Sequence, residues 1–240
     1  MDQPDVATMD FSGRSVAYRR RPGTDPTLLF LPGFASDMEG AKALAIDAFA
    51  KERGLGCVRM DYSGTGSSPG DFADGSLARW LDEALAVADR HSDGPLIVVG
   101  SSMGGWIALH LALRRPDRVV ALIGIAAAPD FTDWGFDAGQ RQTIVNDGMI
   151  GPAEHRVHRG FWESGQALRL LDSPIAISCP VRLIHGEQDR DVPLDIAFRL
   201  MRALGSADVQ LTVIKDGGHR LSEPREIAAI LGVIASLLEP

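Results

Sequence analysis

The chain has 240 residues, 45% hydrophobic and 23% charged, with 24 Lys and Arg against 32 Asp and Glu for a formal net charge of −8. Its mean hydropathy of +0.01 leaves enough apolar side chain for one α/β-sized core without a structural metal or disulfides, and no apolar run approaches the ~20 residues of a membrane span. A sequence pI of about 5.2 describes an acidic surface that repels phosphate backbones, which sets nucleic acid aside as a partner.

The N-terminus, MDQPDVATMD, has neither a basic n-region nor an apolar h-region, so the expected compartment is the cytosol. Cys57 and Cys179 lie in or beside apolar runs and are expected as free thiols rather than a disulfide. Two short runs, Thr8–Phe11 and Ser15–Arg20, flank Ser12-Gly13 and predict a β-hairpin. Thr27–Leu31 (TLLFL), stopped by Pro32-Gly33, has the shape of a buried strand. A helix is predicted over Ala41–Lys51, a strand over Cys57–Met60, and a loop through DYSGTGSSPGD. Leu77–His91 places Leu81, Leu85 and Ala88 on one helical face. The run LIVVG ends at Gly100, and a helix over Met103–Arg115 follows. Apolar strands are predicted at Val119–Ala127, Val181–His185 and Val209–Ile214, with helices at Pro193–Leu204 and Pro224–Leu238.

Apolar strands alternating with helices indicate an α/β fold with a mainly parallel sheet covered on both faces. The whole chain, 1–240, is expected to be a single domain. Asp130–Pro174 breaks the rhythm: it carries Trp134, Phe136, Phe161 and Trp162 among polar residues, with no β-rich run. Because it interrupts two core strands, the segment over 130–174 is read as a small helical cap or lid, the alternative being a long connection over a sheet edge.

The sharpest chemical signal is Gly100-Ser101-Ser102-Met103-Gly104, a G-x-S-x-G pattern between an apolar strand and a helix. A nucleophile elbow needs that setting, because the tight turn holds its central residue at strained angles and tolerates no Cβ two positions away on either side. Ser102 would then project at a helix N-terminus, where the dipole favours a developing anion. Ser101 lacks the symmetric glycines and is read as a packing residue. A serine hydroxyl needs a base, and the expected chain order is Ser, then Asp or Glu, then His. Asp189 sits in the turn after VRLIH, with Glu187 and Asp191 as rivals. His219 lies on the loop after VQLTVI. The backbone N–H groups of Met103 and Phe34 are the expected oxyanion donors, since Pro32 has no N–H. Trp106, Trp134 and Phe136 are candidates to line an apolar acyl pocket, though each suits the core equally. His155 and His158 have metal-like spacing but no completing ligand. The loop GTGSSPG lacks a P-loop lysine, and His91 and His110 are read as surface or packing residues.

The segments LPGFASDMEGAKALAIDAFA, RMDYSGTGSS, VGSSMGGW, VRLIHGEQD and GGHR together resemble the α/β-hydrolase superfamily. Within it, they are similar to the branch that contains the mammalian mitochondrial acyl-protein thioesterase, also described as an acyl-glucuronide esterase. The likeness runs from about Thr27 to His219 and leaves Asp133–Gln166 unmatched. The resemblance implies Ser102, Asp189 and His219 as a triad, and hydrolysis of carboxylic esters or thioesters without a cofactor. The expected partner is a small-molecule ester or acyl-thioester, or an acylated protein. The alternatives are amide or carbon–carbon bond hydrolysis by the same triad, and a non-catalytic binding protein that keeps the pocket.

Overall fold

The computed structural model describes residues 3–153 and 156–238. The N-terminal hairpin forms as expected: β1 (Ala7–Phe11) pairs antiparallel with β2 (Arg14–Arg21), with Phe11 opposite Arg14. β3 (Thr24–Leu31) leads to α1 (Ala41–Arg53), which ends on left-handed Gly54 before β4 (Leu55–Met60). α2 (Leu77–His91) opens on Ser76, whose side chain accepts the Arg79 N–H at 3.2 Å; such a cap satisfies one of the orphan donors of the first turn. β5 (Leu96–Ser101), α3 (Met103–Arg114) and β6 (Val119–Ile125) follow.

Beyond β6 come α4 (Phe131–Trp134), α5 (Ala138–Asp147), β7 (Met149–Ile150), β8 (Val157–His158) and α6 (Arg159–Ala167). The sequence gives no β signal here, yet β7 and β8 form an antiparallel ladder of two residue pairs; a strand of two residues is too short to leave a periodic pattern. β9 (Val181–Gly186), α7 (Leu194–Ala203), β10 (Val209–Ile214) and α8 (Pro224–Ser236) complete the chain. α8 starts with Pro in its first turn and a reciprocal Glu223–Glu226 capping box, a strong helix-start signal.

Eight strands form one sheet in the order β1-β2-β4-β3-β5-β6-β9-β10. From β4 to β10 every pairing is parallel, while β1–β2 and β2–β4 are antiparallel. One apolar layer joins the sheet to α2, α3 and α7 through Leu77, Trp80, Leu81, Trp106, Leu109 and Leu200. The other joins it to α1 and α8 through Ala43, Ile46, Phe49, Ile230 and Ile234. Burial on both faces explains the unbroken apolar reading of β5 and β6.

Two expectations change. β10 is an edge strand with Gln210, Thr212 and Val213 exposed, so it is not buried on both faces. The apolar run VVALIGIAA stops being a strand at Ile125, because Ala126 takes φ 45° and turns the chain off the sheet. Cys57 is buried, Cys179 half-buried, and both are free thiols. Among the described residues no helix is long and apolar enough to cross a membrane.

Candidate active site

The carboxyl ends of β3, β5, β9 and β10 converge at one edge of the sheet. Ser102 follows β5 directly and takes φ 54°, ψ −119°, a backbone region that costs a non-glycine residue about 1–3 kcal/mol. The flanking hydrogen bonds hold it there: Ser102 N–H donates to Ile125 O at 2.9 Å, and Ser102 O accepts from the N–H groups of Gly105 at 2.9 Å and Ala128 at 3.1 Å. The two pattern glycines are required sterically. A Cβ on Gly100 would stand 2.3 Å from Gly104 O, and one on Gly104 would stand 2.1 Å from Leu31 O.

Ser102, His219 and Asp189 form a continuous relay. Ser102 Oγ donates to His219 Nε2 at 3.1 Å, and His219 Nδ1 donates to Asp189 Oδ2 at 2.8 Å. The Asp189 side chain is fully buried. Its Oδ1 accepts the N–H groups of Asp191 and Val192, each at 2.9 Å. Burial alone would raise the Asp189 pKa, but the His219 hydrogen bond and the two backbone donors outweigh it and hold the carboxyl below its ordinary value. Of the rivals, Glu187 accepts the Asp216 N–H at 3.1 Å, and Asp191 is exposed at the cavity, where Asp189 and not Asp191 holds the hydrogen bond to His219. Ser101 is buried in the β5 ladder opposite Ile125.

Met103 N–H opens α3, where helix N–H groups have no intrahelical acceptor. Phe34 sits on the turn after β3. Neither N–H has an acceptor among the described residues. Gly33 lies against Ser102, where a Cβ would meet Ser101 O and Ser102 Cβ at 3.3 Å. A cavity of about 530 Å³ opens over these groups, with Ser102, His219, Phe30, Phe34, Lys42 and Arg220 among its lining.

The three aromatic candidates for an acyl pocket lie off this cavity. Trp106 is fully buried, with its Nε1–H on Leu168 O at 3.1 Å. Trp134 donates to Pro129 O at 2.7 Å and packs in a small cluster with Val192 and Ile196. Phe136 packs half-buried on the main core. The aromatic residues that do line the cavity are Phe30 and Phe34, and four other rings surround Phe34: Phe161 at 4.9 Å between centroids, Phe72 at 5.0 Å, Phe131 at 6.0 Å and Trp80 at 6.1 Å. These spacings suit edge-on aromatic packing.

Sequence reading missed the groups that hold this frame. Asp61, fully buried, accepts the Met38 N–H at 2.7 Å and the Ser67 N–H at 2.8 Å, which ties the loop after β3 to the loop after β4. Burial pushes its pKa up, against those two backbone donors. Glu83 on α2, also fully buried, accepts Ser63 N–H and Oγ–H at 2.9 and 2.7 Å and Arg14 Nε–H at 2.9 Å. His185 Nε2 donates to Val192 O at 2.9 Å and stands 3.4 Å from Asp189 Oδ2. The one local hint was Gly66, where a Cβ would fall 2.2 Å from Asp61 Oδ2.

Of the other histidines, His91 stacks on Tyr18 at 3.9 Å, and His110 Nε2 bonds Leu168 O at 2.8 Å, with burial holding its pKa down. His158 precedes α6, and its proposed companion His155 lies outside the described residues. Asp189, Asp191 and His219 bring three possible metal-ligand atoms within 4.8 Å of one another. Two of those three groups are already hydrogen-bonded to each other in the relay.

Residues 26–155 match the alpha/beta hydrolase fold family. The chain is 37% identical over 247 residues to the mitochondrial palmitoyl-protein thioesterase ABHD10 of Mus musculus, covering 97% of this chain and 83% of that protein. The structure of the mouse alpha/beta hydrolase domain-containing protein 10 superposes with a TM-score of 0.92, at 35% identity over 98% of both chains. A putative hydrolase from Agrobacterium vitis S4 superposes with a TM-score of 0.90, at 38% identity and the same coverage. The chain belongs to the alpha/beta hydrolase family and is an ester or thioester hydrolase, so the non-catalytic alternative falls away. The curated relatives are labelled mitochondrial, which overturns the cytosolic expectation drawn from the N-terminal residues.

Proposed function

We propose that this alpha/beta hydrolase cleaves long-chain acyl thioesters and esters through an acyl-enzyme on Ser102, and that the 130–174 segment acts as a cap over the acyl chain. The observation that carries the reading is the unbroken Ser102–His219–Asp189 relay on a strained strand-to-helix turn. The thioesterase name of the mouse relative supports the thioester class, and the palmitoyl part of that name supports a long acyl group. Phe34, backed by Phe131 and Phe161, supplies an apolar wall beside the nucleophile for such a chain.

In this mechanism Ser102 Oγ attacks the acyl carbonyl as His219 Nε2 takes its proton. Asp189 holds the imidazole in the tautomer with Nδ1 protonated and stabilises the imidazolium. The N–H groups of Met103 and Phe34 receive the oxyanion, where fixed donors act in place of reorganising water. His219 then returns the proton to the departing thiol or alcohol. The same nitrogen next deprotonates water, which attacks the acyl-enzyme; as the acyl–Oγ bond breaks, His219 Nε2 returns that proton to Ser102 Oγ and the carboxylic acid leaves.

The test is a fluorophosphonate probe read by mass spectrometry, together with turnover of thioesters of graded chain length. A single adduct on Ser102 is expected, with Ser102→Ala lowering kcat by roughly 10⁴- to 10⁶-fold. An adduct on another residue, or a Ser102→Ala enzyme that keeps most of its rate, rejects the assignment.

A further inference from the structure

We propose that Asp61 is a positioning residue for the reaction: with Arg59 and Tyr62 it clamps the loop between β3 and α1, so that the Phe34 N–H is in place for the oxyanion. The inference rests on the proposed roles of Ser102 and Phe34 and names the groups that make the Phe34 donor effective. The loop is gripped at both ends from the end of β4. At Pro32, the carbonyl accepts the Tyr62 hydroxyl hydrogen at 3.3 Å. At Met38, the N–H donates to Asp61 Oδ1 at 2.7 Å, and the C=O accepts from Arg59 Nη1 at 2.6 Å. Arg59, Asp61, Tyr62 and Met38 are all fully buried, which keeps water from competing for these bonds.

Phe34 lies between the two grips, on a turn that needs them. The Ser36 N–H reaches back to Gly33 O at 3.2 Å, and Ala35 is held at φ 53°. A non-glycine residue stays in that region only where its surroundings over-determine it. The two oxyanion donors differ in this respect. Met103 N–H belongs to the first turn of α3 and is fixed by the helix, whereas Phe34 N–H is fixed only by what holds its loop. A donor stabilises the oxyanion fully only if its position is set before the charge develops.

Asp61 is itself locked in place. Its N–H donates to Ala17 O at 2.9 Å, its C=O accepts from Ser68 Oγ at 2.7 Å, and its Oδ2 accepts the Ser67 N–H at 2.8 Å. Gly66 takes φ 49° and leaves room for the carboxylate, since a Cβ there would fall 2.2 Å from Oδ2. The segment DYSGTGSS therefore wraps a carboxylate, which gives a role to a pattern that the triad leaves unused. Burying a carboxylate on neutral N–H donors opposes folding, and Asp37 and Glu39 act on this one as like charges. Its place is explained by the loop it fixes rather than by stability.

The experiment measures Asp61→Asn and Tyr62→Phe on the decanoyl thioester of N-acetylcysteamine, beside inhibition by the matching nonyl trifluoromethyl ketone. In that inhibitor Ser102 Oγ adds to the ketone carbon, its proton passes to His219, and the carbonyl oxygen becomes an oxyanion. An Asn at this position has one acceptor oxygen, so it serves Met38 or Ser67 and turns its NH₂ against the other N–H. For Asp61→Asn, kcat should fall about 10- to 100-fold, up to the low end of the loss seen when an oxyanion donor is removed, with KM little changed. Tyr62→Phe loses only the bond to Pro32 O and should lose about threefold in kcat. In both, the ketone should weaken by the same factor as kcat/KM, and the acid limb of the pH–rate profile should stay in place because the relay is untouched. A lower Tm with wild-type kcat well below that Tm makes Asp61 merely structural and overturns the proposal. So does a loss of kcat with ketone affinity unchanged, or with the acid limb displaced. If Asp61→Asn does not fold, Tyr62→Phe decides on the same criteria. All of these outcomes leave the hydrolase reading intact. A wild-type enzyme with no turnover and no fluorophosphonate adduct on Ser102 rejects that reading, and the clamp with it.

Discussion

Replacing Asp189 by Asn tests the relay without changing its shape. In the wild-type protein Oδ2 faces His219 Nδ1 at 2.8 Å, while Oδ1 holds the N–H groups of Asp191 and Val192 at 2.9 Å. An Asn amide has one acceptor oxygen and one donor NH₂, so it must choose. With its oxygen on the two backbone donors, it keeps two bonds and turns its NH₂ towards His219. The reverse orientation keeps one bond and sets the NH₂ against two N–H groups. The first orientation therefore wins, and His219 answers by moving its proton from Nδ1 to Nε2. Nε2 then carries hydrogen where it must accept one from Ser102 Oγ. The same exchange in the serine-protease triad lowers kcat about 10⁴-fold, equal to about 5.4 kcal/mol at 1.36 kcal/mol per decade. The assay is kcat on a long-chain thioester, beside thermal unfolding. Because two of the three short bonds survive, Tm should move little. A loss in kcat below tenfold with the fold intact would refute the reasoning, since it would mean that Asp189 does not set the histidine tautomer.

The remaining predictions concern the frame around this relay. Gly104→Ala drives a Cβ to within 2.1 Å of Leu31 O and 2.5 Å of Pro32 O, both backbone atoms; a cost of about 3 kcal/mol or more is expected, a Tm loss of roughly 6–12 °C, and a Tm within 2 °C of wild type would contradict it. Gly232→Ala is the converse, since Gly232 lies inside α8 with open space where the Cβ would go, and a gain of about 0.5–1 kcal/mol in urea unfolding is expected. Burial, and secondarily Asp47, push the Cys57 thiol up to about 12, so in the native protein at pH 8 it should resist iodoacetamide and become labelled only in urea. Asp189 has a folded pKa below its unfolded one, so its charge adds stability above the ordinary aspartate range near pH ~3.9 and loses it as pH falls further. The small Tm difference expected between wild type and Asp189→Asn should accordingly be constant from pH 7 to about pH 5 and shrink towards zero below about pH 4.

The three residues of the hydrogen-bonded relay were legible because each sits at the end of an element that announces itself. Ser102 stands where an apolar strand meets a helix, and Asp189 and His219 each follow an apolar or β-branched run. What was not legible depends on contacts distant in sequence. Asp61 looked like part of a polar loop, yet it joins Met38 to Ser67 across the site. Glu83 lies on a helix whose apolar period marks only Leu81, Leu85 and Ala88, and burial of a carboxylate is set by partners such as Ser63 and Arg14 that no helical period reveals. Trp134 and Phe136 drew attention by composition, while Phe34, which lines the cavity, was singled out for its N–H alone. Aromatic residues announce burial, not which surface they bury against.

The strand order explains why the segment between β6 and β9 leaves the sheet where it does. β5 and β10 are separated by β6 and β9, three inter-strand steps of about 4.8 Å and so about 14 Å. His219, on the loop after β10, must reach back across that distance to Ser102. The carboxyl end of β6 lies in its way and has to be cleared. Ala126 at φ 45° turns the chain off the sheet while its N–H bonds Ile184 O at 2.7 Å, and Ala128 N–H bonds Ser102 O at 3.1 Å. Asp130, also at positive φ, then accepts the N–H groups of Leu170 and Leu171 and fastens the start of α4 to the segment that follows α6. A single diversion thus takes the chain off the sheet at the end of β6 and roots α4–α6 beside Ser102. Two strained residues, Ala126 and Asp130, are the local cost of that arrangement, and the buried bonds they make offset it.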